Sequence, residues 1–306
     1  MVGLLFPGQG SQFVGMGKDL VTASAAAREV FDESDDLLGF SLSRLCFEGP
    51  EHELAATNNA QPAILTHSIA AYRALGGHAG TVSVAAGHSL GEFTAYVASG
   101  GMSFADGLRT VRLRGELMFH SGQERPGTMA AILGLDEETI ERVCAETSGP
   151  DGVCVAANFN APGQVVISGD VAAVERCIAR AKEAGARRAL PLSVSGAFHS
   201  PLMEVAVPGL EAQLTRIPMN AGGFPVVSNV TADPVRDVAT ARRLLLAQLT
   251  APVRWTACVR TMLGMGVRSF LEIGPGSVLT GLLKRIEREA EAKPVGTAEQ
   301  VEAIAA

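Results

Sequence analysis

The chain has 306 residues, 47% of them hydrophobic, and a formal charge of −7. That is enough apolar material for one large domain, or for one domain carrying a smaller one, and an acidic chain without a long Lys/Arg run excludes a nucleic-acid-binding protein, because phosphate recognition needs concentrated positive charge. No unbroken apolar stretch approaches the roughly 20 residues of a membrane span, and Met1-Val2-Gly3-Leu4-Leu5-Phe6-Pro7 lacks the basic region and cleavage site of a secretion signal, so a cytoplasmic location is expected.

In chain order, residues 3–6 have strand character. Phe6-Pro7-Gly8-Gln9-Gly10-Ser11-Gln12 follows where a dinucleotide fingerprint would stand, but Phe13 takes the place of the third glycine, so a Rossmann cofactor site has little support. Such a loop at the carboxyl end of a strand serves equally as a tight turn or as a source of backbone N–H groups for an oxyanion. Helical patterns cover 24–37, 61–75 and 104–120, with a strand over 81–86 and a helix over 92–99 closed by Gly100-Gly101.

From Thr128 the rhythm changes. A strand at 129–133, a helix at 136–146, strands at 153–157 and 164–168, a helix at 171–184 and a strand at 187–192 give the βαββαβ order of a ferredoxin-like unit. Residues 125–195 are therefore expected as a small inserted subdomain, and residues 1–124 and 196–306 as the large α/β subdomain around a mostly parallel sheet. After the insert come a helix over 201–215, a strand over 225–228, a helix ending near Leu249, another over 256–264 and a strand over 268–273. The alanine-rich residues after Glu287 are expected to be loosely ordered.

Gly87-His88-Ser89-Leu90-Gly91 lies between the strand over 81–86 and the helix that follows. It matches the G-x-S-x-G nucleophile elbow, whose small flanking residues allow a sharp turn that exposes the serine hydroxyl. The Leu90 N–H and the positive end of the helix would face a developing oxyanion there. A nucleophile is favoured over a plain turn because the pentapeptide sits between strand and helix.

Six histidines are available as a base: His52, His67, His78, His88, His120 and His199. None forms HExxH, so metal chemistry has no support. His199 sits where the strand over 187–192 leads into a helix marked by Ser200-Pro201. Parallel sheets place active-site groups at such junctions, and from the residues alone a base or a capping histidine fits equally. His88 is expected to point away from Ser89. The five cysteines contain no CxxC pair and read as reduced core thiols rather than a disulfide framework.

Seven segments in order carry a family resemblance: Phe-Pro-Gly-Gln-Gly-Ser-Gln at 6–12, Gly-His-Ser-Leu-Gly-Glu at 87–92, Arg-Leu-Arg-Gly-Glu-Leu-Met at 112–118, Asn-Ala-Pro-Gly-Gln-Val-Val-Ile-Ser-Gly at 160–169, Ala-Phe-His-Ser at 197–200, Gln-Leu-Thr-Ala-Pro-Val-Arg-Trp at 248–255 and Glu-Ile-Gly-Pro-Gly at 272–276. Over nearly its whole length the chain resembles the malonyl-CoA:acyl carrier protein transacylases of fatty-acid synthesis and the stand-alone acyltransferases of polyketide synthesis. The resemblance implies a hydrolase-like core and a ping-pong transfer, without metal or cofactor, from malonyl-CoA to an acyl carrier protein. It makes Ser89 the nucleophile and His199 the base, oriented by the Gln248 backbone carbonyl. The N–H groups of Gln9 and Leu90 become oxyanion donors, and Arg114 the grip on the malonyl carboxylate.

Phe198 matches the bulky residue of malonyl-using members, where methylmalonyl-using members tend to have a small one. Met118 is expected in the same pocket, and Asn160 near its entrance. Phe119-His120-Ser121 departs from the family, in which glutamine commonly follows the methionine, so the pocket wall differs there. Arg187, Arg188, Lys284 and Arg285 are candidates for a basic patch that docks an acidic carrier, and a monomer is expected. The alternative activity is a serine hydrolase, an editing thioesterase in which water replaces the carrier thiol; a catalytically silent carrier-binding module is a third reading. Arg114 argues against the hydrolase, because an enzyme cleaving simple acyl groups has no use for a buried cation. The intact set Ser89, His199 and Arg114 argues against the silent module.

Overall fold

The computed structural model describes residues 1–306. Its strands are β1 (Val2–Phe6), β2 (Val82–Gly87), β3 (Gly127–Leu133), β4 (Cys154–Ala161), β5 (Gln164–Asp170), β6 (Arg188–Pro191), β7 (Val226–Val227), β8 (Pro234–Val235), β9 (Ser269–Ile273) and β10 (Glu291–Val295). Six of them form one sheet in the order β10-β9-β1-β2-β7-β8, parallel throughout except for the β7–β8 pair.

The central strands of this sheet are apolar because helices cover both faces. Successive side chains alternate between two cores. Leu4, Phe6, Ala85 and Leu271 enter one, while Leu5, Val84, Ala86 and Phe270 enter the other. The sheet thus brings the carboxyl ends of β1 and β2 side by side, with Phe6 paired to Gly87. The two glycine turns of the sequence become neighbours at that edge.

The other four strands form an antiparallel sheet in the order β4-β5-β3-β6. With the helices Glu137–Thr147 and Val171–Glu183 between them in sequence, this is the expected ferredoxin-like arrangement. Ala130, Ile132, Val165 and Ile167 face those helices and form a core of their own. The opposite face carries Met129 and Val166, which join the large core and look into the cleft between the sheets. Backbone hydrogen bonds from Phe159 N–H to Val253 O (2.9 Å) and from Val253 N–H to Ala157 O (2.8 Å) tie β4 to the large sheet's side of the molecule.

Two expectations need correction. The residues after Glu287 are ordered: β10 pairs in parallel with β9, and the helix Ala298–Ala305 follows, anchored by Ala298 N–H on Asp19 Oδ2 at 2.7 Å. The helix expected over 201–215 is a 3₁₀ turn, Pro201–Ala206, leading into an α-helix, Val207–Arg216. Short helices at Lys18–Ala23, Leu42–Glu48 and Glu51–Ala55 carry too few turns to show a periodic apolar stripe.

Candidate active site

Ser89 stands between β2 and the helix Leu90–Ala98 with φ 52° and ψ −108°. An L-residue rarely adopts this conformation, and its neighbours impose it. A Cβ on Gly87 would lie 1.8 Å from the Gly91 carbonyl carbon, and one on Gly91 would lie 2.1 Å from the Phe6 carbonyl oxygen. Only glycine allows β1 and the new helix to approach so closely. Asn229, just beyond β7, clamps the turn from the side. The Ser89 N–H donates to its Oδ1 at 2.7 Å, and its Nδ2 donates to the Gly87 carbonyl at 2.8 Å.

The Ser89 hydroxyl lies 2.7 Å from His199 Nε2. On the other side of the ring, Nδ1 faces two carbonyl oxygens, Gln248 at 2.9 Å and Ala251 at 3.2 Å. Carbonyl oxygens only accept, so Nδ1 carries the proton and Nε2 offers its lone pair to the Ser89 hydroxyl. Burial, followed by the nearby Arg114 charge, pushes the His199 pKa down to about 3. The ring is therefore neutral at neutral pH and able to take a proton.

Arg114 projects from the helix Phe104–Glu124 and is 1% exposed. Its Nη1 donates to Gln61 Oε1 at 2.7 Å; its Nη2 donates to Gln248 Oε1 at 2.9 Å and to Ser89 Oγ at 3.1 Å. Nε has no partner. The guanidinium lies 5.4 Å from the Phe93 ring centre. No carboxylate contacts it directly. The nearest acid in the hydrogen-bond network is one residue removed: Gln248 Nε2 donates to Glu92 Oε2 at 2.6 Å while its Oε1 faces Arg114. Asn229 N–H also donates to Glu92 Oε2, at 3.1 Å, and the second Glu92 oxygen is buried without a partner. Burial pushes Glu92 up to about 7 and Arg114 down to about 10. A buried guanidinium held by neutral groups beside a hydroxyl is suited to receive an anionic group.

These side chains open into a cleft of about 420 Å³ between the two sheets. Gln9 and Leu90 line it, Leu90 at the first position of its helix, where backbone N–H groups have no partner within the helix. Met118 and Phe198 are buried in its wall, Met118 with Gln61 Nε2 at 3.4 Å from its sulfur. Asn160, on β4, meets His88: Nε2 and Oδ1 are 2.8 Å apart, and the His88 ring lies 5.6 Å from Trp255. His88 is thus engaged with Asn160 and Trp255, and His199 is the histidine at the serine. Arg285 bonds the Gln164 side chain and the Pro162 carbonyl at the rim, whereas Arg187 packs over Gly134.

Four contributions escape a reading by motif: Glu92, Asn229, Gln61 and the Gln248 side chain. Glu92 lies inside the elbow segment, but its partners come from residues 228–248. Asn229 had one usable signal, a polar residue at the carboxyl end of a strand in a parallel sheet. The three thiols Cys144, Cys154 and Cys177 are the one group of metal-ligating side chains within reach of one another, and they lie in the small sheet's core.

A family described as the acyl transferase domain matches residues 4–302. The malonyl CoA-acyl carrier protein transacylase of Bacillus subtilis (strain 168) is 45% identical over 301 residues, covering 98% of this chain and 95% of that protein. The crystal structure of an acyl carrier protein S-malonyltransferase from Vibrio cholerae superposes with a TM-score of 0.95 at 41% identity, covering 99% of both chains. A malonyl-transacylase solved in complex with its type II PKS acyl-carrier protein superposes equally well, with a TM-score of 0.95 at 43% identity over 99% of this chain and 98% of that one.

Proposed function

We infer the activity from the premise that the chain belongs to the acyl transferase domain family: it transfers a malonyl group from malonyl-CoA to the phosphopantetheine thiol of an acyl carrier protein, supplying extender units for fatty-acid or polyketide synthesis. One observation in the cleft carries this reading. The Arg114 guanidinium stands 3.1 Å from the Ser89 hydroxyl with no carboxylate against it. A substrate bearing a carboxylate on its acyl group supplies the missing partner, and a simple acyl chain does not.

In the first half-reaction the Ser89 proton passes to His199 Nε2 as Oγ attacks the thioester carbon. The oxyanion is held by the N–H groups of Gln9 and Leu90, and His199 returns its proton to the departing coenzyme A sulfur. Nδ1–H stays on the Gln248 and Ala251 carbonyls, which stabilise the transient imidazolium by hydrogen bonding and hold the ring in line. In the second half the carrier thiol gives its proton to His199 and attacks the malonyl-serine ester, and Ser89 leaves with that proton. Arg114 grips the malonyl carboxylate in both halves, while Gln61 and Gln248 hold the guanidinium in plane. Phe198 and Met118 bound the acyl pocket, and Asn160 faces the entering arm. Every proton and charge is handled by side chains and backbone, so the cycle calls for no metal or cofactor. Residues 125–195 act as the small subdomain that closes one wall against 1–124 and 196–306. The buried free thiols suit a cytoplasmic setting.

The test is the intact mass of the protein after brief exposure to malonyl-CoA, methylmalonyl-CoA or acetyl-CoA, followed by carrier protein. A malonyl adduct that needs Ser89 and moves to the carrier supports the transferase. Loading of acetyl or longer groups followed by loss to water would establish the hydrolase instead.

A further inference from the structure

Three of the five cysteines meet in the core of the small sheet. Cys144 comes from the helix Glu137–Thr147, Cys154 opens β4, and Cys177 comes from the helix Val171–Glu183. Cys144 Sγ is 4.0 Å from Cys154 Sγ and 3.7 Å from Cys177 Sγ, and all three sulfurs lie within 4.8 Å of one another. None is more than 3% exposed, and Ile140, Val143, Ile167 and Val174 belong to the same apolar cluster.

Three sulfurs bonded at about 2.3 Å to one central atom stand roughly 3.5 Å apart when that centre carries a lone pair and is pyramidal. The two Cys144 edges, 4.0 and 3.7 Å, close to that spacing with shifts of tenths of an ångström, and the third edge, within 4.8 Å, closes with a side-chain shift of up to about an ångström. Charge then selects the occupant. A monovalent or divalent ion with three thiolates leaves a net negative complex, which an apolar core strongly disfavours. A trivalent thiophilic centre is neutralised by the same three ligands.

We propose that Cys144, Cys154 and Cys177 form a binding site for a soft trivalent metalloid of the As(III) type, held as a neutral trithiolate. Binding arsenous acid, As(OH)₃, breaks three As–O bonds and three S–H bonds, and forms three As–S bonds and three O–H bonds. Three waters leave, and arsenic remains As(III). Entry requires local opening of the small subdomain, so uptake is slow. Once bound, the centre links both helices to β4 and raises resistance to unfolding.

The experiment uses the reduced full-length protein and arsenite alone, with arsenic per chain measured after gel filtration and the melting temperature measured in parallel. The expected result is one arsenic per chain and a raised melting temperature. Cys177→Ala and Cys154→Ser should each lose both effects, while Cys46→Ala and Cys258→Ala, which alter isolated thiols, keep them. Malonyl loading of each variant reports that it is folded, since this cluster lies outside the cleft. No retained arsenic, arsenic retained by a folded Cys177→Ala, or retention of cadmium(II) in preference to arsenite would overturn the proposal.

Discussion

Arg114 carries three hydrogen bonds to neutral partners, so its removal should discriminate between substrates rather than abolish chemistry outright. Arg114→Ala should lower the rate of malonyl loading by about a hundredfold, in line with the ~1.5–3 kcal/mol of a charge-assisted hydrogen bond, while acetyl loading is spared. A uniform loss for both acyl groups in rapid-quench assays would contradict the proposed grip. Phe198→Ala should relax selectivity in the other direction. Excluding one methyl by bulk contributes about 1–3 kcal/mol, so the methylmalonyl-to-malonyl ratio of kcat/KM should rise roughly tenfold or more. Both residues came to notice through the family resemblance, because a lone arginine on a helix or a phenylalanine before a histidine carries no such role in its local pattern. Glu92 and Asn229 did not, because they act on the serine turn and on Gln248 through space and no local pattern marks that work.

Among the elements, the strand-to-helix elbow depends on a contact that the motif alone only hints at. A methyl on Gly91 would meet the Phe6 carbonyl at 2.1 Å, so Gly91→Ala must push β1 from the helix Leu90–Ala98. It should destabilise the fold by several kcal/mol and abolish acyl loading, as checked by urea unfolding and intact mass. Glu272, in the Glu-Ile-Gly-Pro-Gly segment, has a different task. Its carboxylate accepts from Leu279 N–H at 2.9 Å and Thr280 N–H at 2.7 Å, capping the helix Val278–Ile286 from the end of β9. Glu272→Ala should cost about 1–2 kcal/mol in the same unfolding assay, and raise KM for malonyl-CoA, because Val278, Leu279 and Leu282 line the cleft. The alternation of strands and helices was readable because each element carries its own period. The C-terminal segment departs from its expectation because alanine content says little about β10, whose place is set by parallel pairing with β9, adjacent in space but separated from it in the chain by a helix. Val301 and Ile304 then pack the final helix onto the large core.

At the scale of the molecule, the buried site ties stability to pH through two groups whose effects oppose each other. His199 falls from 6.5 to about 3 on folding. Between those values the unfolded chain holds a proton that the folded chain refuses, so stability increases with pH and is lost as pH falls. Glu92 rises from 4.5 to about 7. Between those values the folded chain holds the proton and the unfolded chain does not, so stability decreases as pH rises. From pH 4.5 to 6.5 the two slopes, each about 1.4 kcal/mol per pH unit, cancel. This pair therefore contributes a nearly flat profile there, on which His88, also lowered by burial in the cleft wall, and the buried His67 superimpose a rise with pH. Glu92→Gln should unmask the histidine and make stability climb with pH across this window. His199→Gln should unmask the carboxyl and make the slope across it lower than that of the wild-type chain. Urea titrations of both variants at pH 4.5, 5.5 and 6.5 measure the slopes directly, with the wild-type chain as the common reference. Parallel profiles for all three proteins would mean that neither group is shifted on folding, and that the neutral His199 required of a base at rest is not secured by burial.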